Sequence, residues 1–128
     1  HWPDRATAYA NLEGRGMFKG WAPEALQAYV DFALRDSDDG GVELKCRPSR
    51  ESDLFGSYPR RLWATLAKLR TPMKIEYGAG SYPFVAASAK RLAASQPMVR
   101  IEQVPGGHCY MQEDPPAAAR RVRAFLLG

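Results

Sequence analysis

Long apolar runs are missing from this chain. No stretch approaches the roughly 20 consecutive apolar residues that cross a bilayer, so hydropathy gives no transmembrane helix and no membrane partner is expected. Cysteine is nearly absent. The two present, Cys46 and Cys109, lie far apart with no CxxC spacing, which removes a disulfide scaffold and a zinc ribbon from consideration. Two buried free thiols are the expectation, and with them a cytoplasmic location. No basic leader followed by an apolar segment opens the chain, so no signal peptide is read. The opening His1-Trp2-Pro3 lacks a methionine, and the chain is expected to be cut or processed from something longer. Internal repeats and low-complexity segments are missing as well.

Histidine is scarce too. His1 and His108 stand at no metal-ligand spacing from Glu51, Asp53, Glu113 or Asp114, so neither a metal nor a cofactor is expected. The net charge of +4 comes from scattered arginines. Arg60 and Arg61 fall near the start of one expected helix; Arg120, Arg121 and Arg123 fall on the outer face of the last. Basic residues do not interleave with exposed aromatics along one path, as a nucleic-acid groove requires, and nucleic acid is not an expected partner.

What is present is an ordinary globular composition of 45% hydrophobic and 25% charged residues over 128 positions, one domain's worth of chain. Residues 1–56 read as helical and aromatic. A helix is expected from Pro3-Asp4-Arg5 to Glu13, stopped by Gly14 and Gly16. A second begins at Pro23-Glu24, where Leu26, Tyr29, Val30, Ala33 and Leu34 recur on one face. Residues 36–41 form a turn, and residues 42–46 a short extended piece. Trp2, Phe18, Trp21, Tyr29, Phe32, Phe55, Tyr58 and Trp63 are expected to make the core of this part, with two or three left to line an apolar pocket.

Residues 57–128 alternate helix and strand. A helix is expected over 58–69, with Leu62, Leu66 and Leu69 on one side, ended by Thr71-Pro72. Met73 to Tyr77 alternates as a strand and leaves through Gly78-Ala79-Gly80. Residues 83–95 form a helix with Val85, Ser88, Ala89 and Leu92 inward. Val99 to Val104 forms a second strand, and Asp114 and Pro115 open a final helix with Ala118, Val122, Phe125 and Leu126 on its apolar face. This order gives an α/β class with a parallel pair joined by a crossover helix. Two parallel strands do not make a self-sufficient sheet, and the interspersed Lys74, Glu76, Arg100 and Glu102 suit a sheet margin. The segment therefore reads as the edge of a larger fold.

The candidate site is Gly106-Gly107-His108, which follows the second strand, with Glu113-Asp114-Pro115 behind it. This places an imidazole on a loop at the carboxyl end of a strand, where open α/β sheets do their chemistry. Cys109 beside His108 offers no Cys–His pair, because adjacent residues on an extended loop point in opposite directions.

With these residues the chain resembles the α/β-hydrolase family in its C-terminal half. Leu69-Arg70-Thr71-Pro72 through Gly78 is similar to its penultimate strand, Val99 through His108 to its last strand and histidine loop, and Glu113-Asp114-Pro115 to its usual ending. Residues 1–56, with Arg15 to Trp21, Tyr29-Val30 and Leu44 to Pro48, resemble the inserted helical cap, and residues 57–128 the C-terminal part of the core. The resemblance implies a partial α/β-hydrolase fold in which His108 is the catalytic histidine, first base and then acid, for ester or related hydrolysis. It implies a small apolar ester-like substrate, and either the N-terminal part of the fold or a homodimer mate as partner. Two departures stand out. The nucleophile elbow G-x-S-x-G is nowhere in the sequence, and the turn after Tyr77 carries no carboxylate, with Ser81 where an Asp is expected. A carboxylate upstream of residue 1 is then expected to orient the histidine, the other possibility being some other group. The alternative is an inactive hydrolase-like fragment that binds a ligand or a partner chain.

Overall fold

In the computed structural model, which describes residues 1–128, the first helix starts where a carboxylate can cap it. Asp4 Oδ1 accepts the Thr7 N–H at 2.6 Å and opens α1 (Arg5–Leu12). That backbone hydrogen bond holds the Asp4 carboxyl below the ordinary aspartate range. Pro23 stands at the head of α2 (Pro23–Ala33), with Glu24 in its first turn. The chain divides into two units, His1–Tyr58 and Pro59–Gly128.

In the first unit, α2 runs directly into a hairpin. The strands β1 (Leu34–Asp36) and β2 (Val42–Leu44) pair antiparallel, with Leu34 opposite Leu44 and Asp36 opposite Val42. Trp2 adds a bridge to Val42 through backbone bonds of 2.9 and 2.8 Å. Ala8, Val30, Leu34 and Val42 are buried together, flanked by Trp2, Tyr9, Leu12 and Leu44.

Leu34 is thus the first residue of a strand and not the last of a helical face. Pairing with Leu44 and almost complete burial of its side chain outweigh one more residue of helix. The expected aromatic core is only partly realised. Trp2, Phe18, Trp21 and Tyr29 are half-buried, and Phe18 meets both Trp21 and Tyr29 edge-on at 4.9 Å. Phe32, Phe55 and Tyr58 are exposed. Phe32 follows Val30 by two positions on α2, which carries it to the far side of the helix from the buried Leu26 and Val30. Phe55 ends α3 (Pro48–Phe55), a proline-led helix with no buried residue, which periodicity alone does not announce.

In the second unit the helix expected over 58–69 shrinks to α4 (Leu62–Leu66), because Arg61 supplies no capping side chain and Pro59 precedes it. Trp63, at 36% exposure, is not a core residue; Arg91 lies over its ring at 4.1 Å. The strands β3 (Met73–Gly78) and β4 (Val99–Val104) pair in parallel with Met73 opposite Val99 and Gly78 opposite Val104. The helix α5 (Pro83–Ser95) joins them. After β4 come a short α6 (Tyr110–Glu113) and α7 (Pro115–Leu127), whose N-terminus is capped by Asp114 accepting the Ala117 N–H at 3.0 Å.

Alternation gives the strand pair two unlike faces. Ile75 shares a groove of about 310 Å³ with Leu62, Trp63, Phe84, Ala89 and Leu92, so that face looks toward α4 and α5. Ala89 and Leu92 are buried, while Val85 is half-buried and Ser88 exposed. Lys74 and Glu76 occupy the opposite face, beneath α7. Here the expectation for Arg121 is reversed: its Nε donates to Glu76 Oε2 at 3.1 Å, so it points at the sheet while Arg120 and Arg123 point out. A charged strand face needs a cation from the helix that covers it. The other positions of the expected apolar face are mixed: Ala118 is buried, Phe125 half-buried, and Val122 and Leu126 are 50% and 71% exposed. Neither thiol is buried. Cys46 lies in the connection from β2 to α3 and is exposed; Cys109 precedes α6 and is half-buried. No helix of the chain is long and apolar enough to cross a membrane.

Candidate active site

Two turns leave the carboxyl ends of the parallel strands and are tied to each other by backbone bonds. The Ala79 N–H donates to Val104 O at 2.8 Å, extending the β ladder by one step, and the Gly80 N–H donates to Gly106 O at 2.9 Å. Gly78 makes this approach possible. A Cβ there would lie 1.9 Å from the Gly107 carbonyl oxygen, which no side chain can tolerate. Gly106 holds φ at +106°, a conformation open to glycine.

The loop is fastened from its far side by Glu113. Both carboxylate oxygens accept the Gly107 N–H, at 3.0 and 2.9 Å. Tyr110, at the start of α6, is buried with Val104 and Ala118 and anchors the same segment from below. The loop backbone is therefore set on both sides before the histidine is placed.

His108 follows. Its Nδ1 lies 2.8 Å from Ser81 Oγ, on the turn after β3. Its ring meets the Tyr82 ring edge-on at 4.9 Å, and Tyr82 in turn stacks on Phe84 at 5.6 Å. The imidazole is exposed, with one nitrogen held by a hydroxyl and one edge held by an aromatic ring. Where a carboxylate from upstream of residue 1 is expected, the group this chain itself places on Nδ1 is Ser81, and no carboxylate of this chain touches the ring. Glu113 is turned to Gly107, and Cys109 makes no hydrogen bond with its neighbour.

A second polar cluster lies on the strand face under α7. Glu76 has only 7% of its side chain exposed; Lys74 Nζ stands 2.6 Å from Glu76 Oε1 and 2.6 Å from Glu102 Oε2. Oε1 makes no hydrogen bond, so the first of these is a charge contact and not an aligned bond. Burial opposes the Glu76 charge, but Lys74 and Arg121 outweigh it and hold the carboxyl below the ordinary glutamate range. Glu102 first, and then Glu76, raise the Lys74 ammonium above its ordinary range. Burial and then the Glu76 charge raise the Tyr110 phenol. These groups compensate one another's charge and fasten α7 to the sheet. No group of three or more His, Cys, Asp and Glu side chains is arranged to hold a metal ion.

Sequence reasoning placed His108 and marked Ser81 by position. It did not find Glu113 or Tyr82 as supports of the site. The spacing of a Glu shortly after the histidine was the available signal for the first; an aromatic next to Ser81 gave none for the second.

No protein-family model matches the chain, and no curated protein sequence matches it. A solved structure does: the crystal structure of E-2-(acetamidomethylene)succinate hydrolase is similar over 99% of this chain, with a TM-score of 0.79 and 18% identity. The fold is a partial α/β-hydrolase fold. The chain spans 47% of the length of that hydrolase.

Proposed function

We propose that residues 1–56 are the cap segment and residues 57–128 the C-terminal core of an α/β-hydrolase, and that His108 is its catalytic histidine. In this reading the enzyme cleaves an ester or related bond in a small apolar substrate. His108 takes the proton of the nucleophile and returns it to the leaving group. One observation carries the reading. The His108 ring sits on the loop leaving β4, gripped by the turn leaving β3, at the carboxyl ends of two parallel strands.

The nucleophile and most of the oxyanion hole then come from the N-terminal part of the fold, since G-x-S-x-G does not occur among these residues. That part is also the proposed partner of the unpaired strand edges and of the exposed Val122, Leu126 and Leu127 on α7, with a homodimer mate as substitute. The site in this chain needs no cofactor or metal in this reading, and the location proposed is the cytoplasm.

The test is hydrolysis of a short-chain aryl ester. The 128-residue chain alone should turn over at background, and the chain supplied with an N-terminal half that carries the nucleophile should be active. Serine-inhibitor-sensitive turnover by the chain alone would refute the division of labour. The missing elbow favours a second reading, an inactive hydrolase-like domain that binds a ligand or partner. Inactivity of the completed fold together with retained partner binding would select it.

A further inference from the structure

We infer that Ser81 is the positioning residue of His108: a neutral hydroxyl accepts the Nδ1 proton in the place where a histidine base is ordinarily held by a carboxylate. The inference rests on the reading of His108 as a base but concerns a different atom and a different readout.

Three observations support it. Ser81 Oγ is 2.8 Å from Nδ1 and has no other side-chain partner. The carboxylates that might compete are engaged elsewhere. Both oxygens of Glu113 accept the Gly107 N–H, and Glu76 is held by Lys74 and Arg121 on the strand face under α7. Finally, Ser81 has none of the backbone strain of a nucleophile elbow, since every positive φ in the chain belongs to a glycine. The serine therefore serves the ring and is not itself presented for attack.

The geometry has a chemical consequence. A free neutral imidazole distributes its proton between two nitrogens. When Nδ1–H donates to Ser81 Oγ, the lone pair is fixed on Nε2, the nitrogen a base must offer to its nucleophile. The Tyr82 ring, edge-on at 4.9 Å, limits rotation of the imidazole about the same contact. Orientation and tautomer are thus set without a negative charge.

The experiment reads the tautomer directly, without substrate. The full 128-residue chain, labelled with ¹⁵N, is examined by two-bond nitrogen–proton correlation of the imidazoles at a pH where the rings are neutral. The chain has only His1 and His108, so the His108→Ala spectrum assigns them. The expected result is a His108 ring protonated at Nδ1. Ser81→Ala should move it toward the Nε2–H form, and Ser81→Thr, which keeps the hydroxyl, should restore Nδ1–H. An Nε2–H ring in the unaltered chain, or a ring that ignores Ser81→Ala, overturns the inference. If the tautomer behaves as expected and the completed enzyme is indifferent to His108→Ala, the positioning stands and the catalytic reading of His108 fails.

Discussion

Arg121 Nε donates to Glu76 Oε2 at 3.1 Å, joining the last helix to the face of the first parallel strand. Only 23% of the arginine and 7% of the glutamate side chain are exposed. Removing the cation leaves a nearly buried carboxylate with Lys74 as its remaining counter-charge. Breaking such a pair costs about 3 kcal/mol. Arg121→Ala should lower unfolding stability by about that amount in urea titrations, and Arg121→Lys should recover part of it. Replacing Glu76 and Arg121 together with leucine should cost less than Arg121→Ala alone, because no charge is then stranded.

The same cluster sets the pH range of stability. The Glu76 carboxyl titrates below its ordinary value of 4.5 when folded, so its stabilisation is complete above 4.5 and is lost as pH falls through the lower folded value. Lys74 titrates above its ordinary 10.5; its contribution is complete below 10.5 and lost as pH rises through the higher folded value. Melting temperature should therefore fall at both extremes. In Glu76→Gln the acid-side loss should be shallower, and the decline above 10.5 should also weaken, since Lys74 keeps only Glu102.

Close approach of the two turns gives the third expectation. Gly78→Ala puts a methyl 1.9 Å from the Gly107 carbonyl oxygen, and backbone must move to admit it. Overpacking of this kind costs typically about 1–3 kcal/mol. It should also part Ser81 from His108, visible as a change in the His108 ring resonances. Gly14→Ala is the control: Gly14 has a left-handed backbone at φ +69°, which Gly78 lacks, and open space around it, so the substitution should cost stability and leave the His108 signals unmoved.

The sequence carried much of this arrangement and missed identifiable parts of it. Both parallel strands, the helix between them and the Asp114-Pro115 start of α7 were legible, because alternation, capping and proline at a helix head are local signals. The β1–β2 hairpin was only half legible. Leu34 fits a helical face by spacing, and only its pairing with Leu44 decides otherwise. Arg121 was misplaced for the same reason: a basic residue on a helix reads as solvated until a buried carboxylate is seen beneath it. At the site, the histidine is marked by its glycines, but Ser81 and His108 meet through a tertiary contact that no spacing encodes.

Exposed apolar side chains on α7 give an association prediction. Val122, Leu126 and Leu127 stand at 50%, 71% and 69% exposure beside the half-buried Phe125, a patch that invites contact. Light scattering should show the chain self-associating as concentration rises. Leu126→Glu should shift it toward monomer with circular dichroism unchanged, since that side chain contributes little to the chain's own core. A monodisperse monomer at high concentration would count against a homodimer mate for this face.

The last expectation separates the two possible roles of His108. Its ring is exposed and keeps two contacts, Ser81 Oγ on Nδ1 and the Tyr82 ring on one edge, while the loop backbone is held independently by Glu113 and the Gly80–Gly106 bond. His108→Ala thus removes one solvent-exposed hydrogen bond and little packing, a loss on the order of 1 kcal/mol or less. In the completed hydrolase the same change removes the general base and should cut the acyl-transfer rate by about 10²–10⁴-fold. Paired measurement of melting temperature and turnover distinguishes the cases. A folded, inactive variant supports the catalytic role. A variant that unfolds while its folded fraction keeps full activity makes His108 a structural residue.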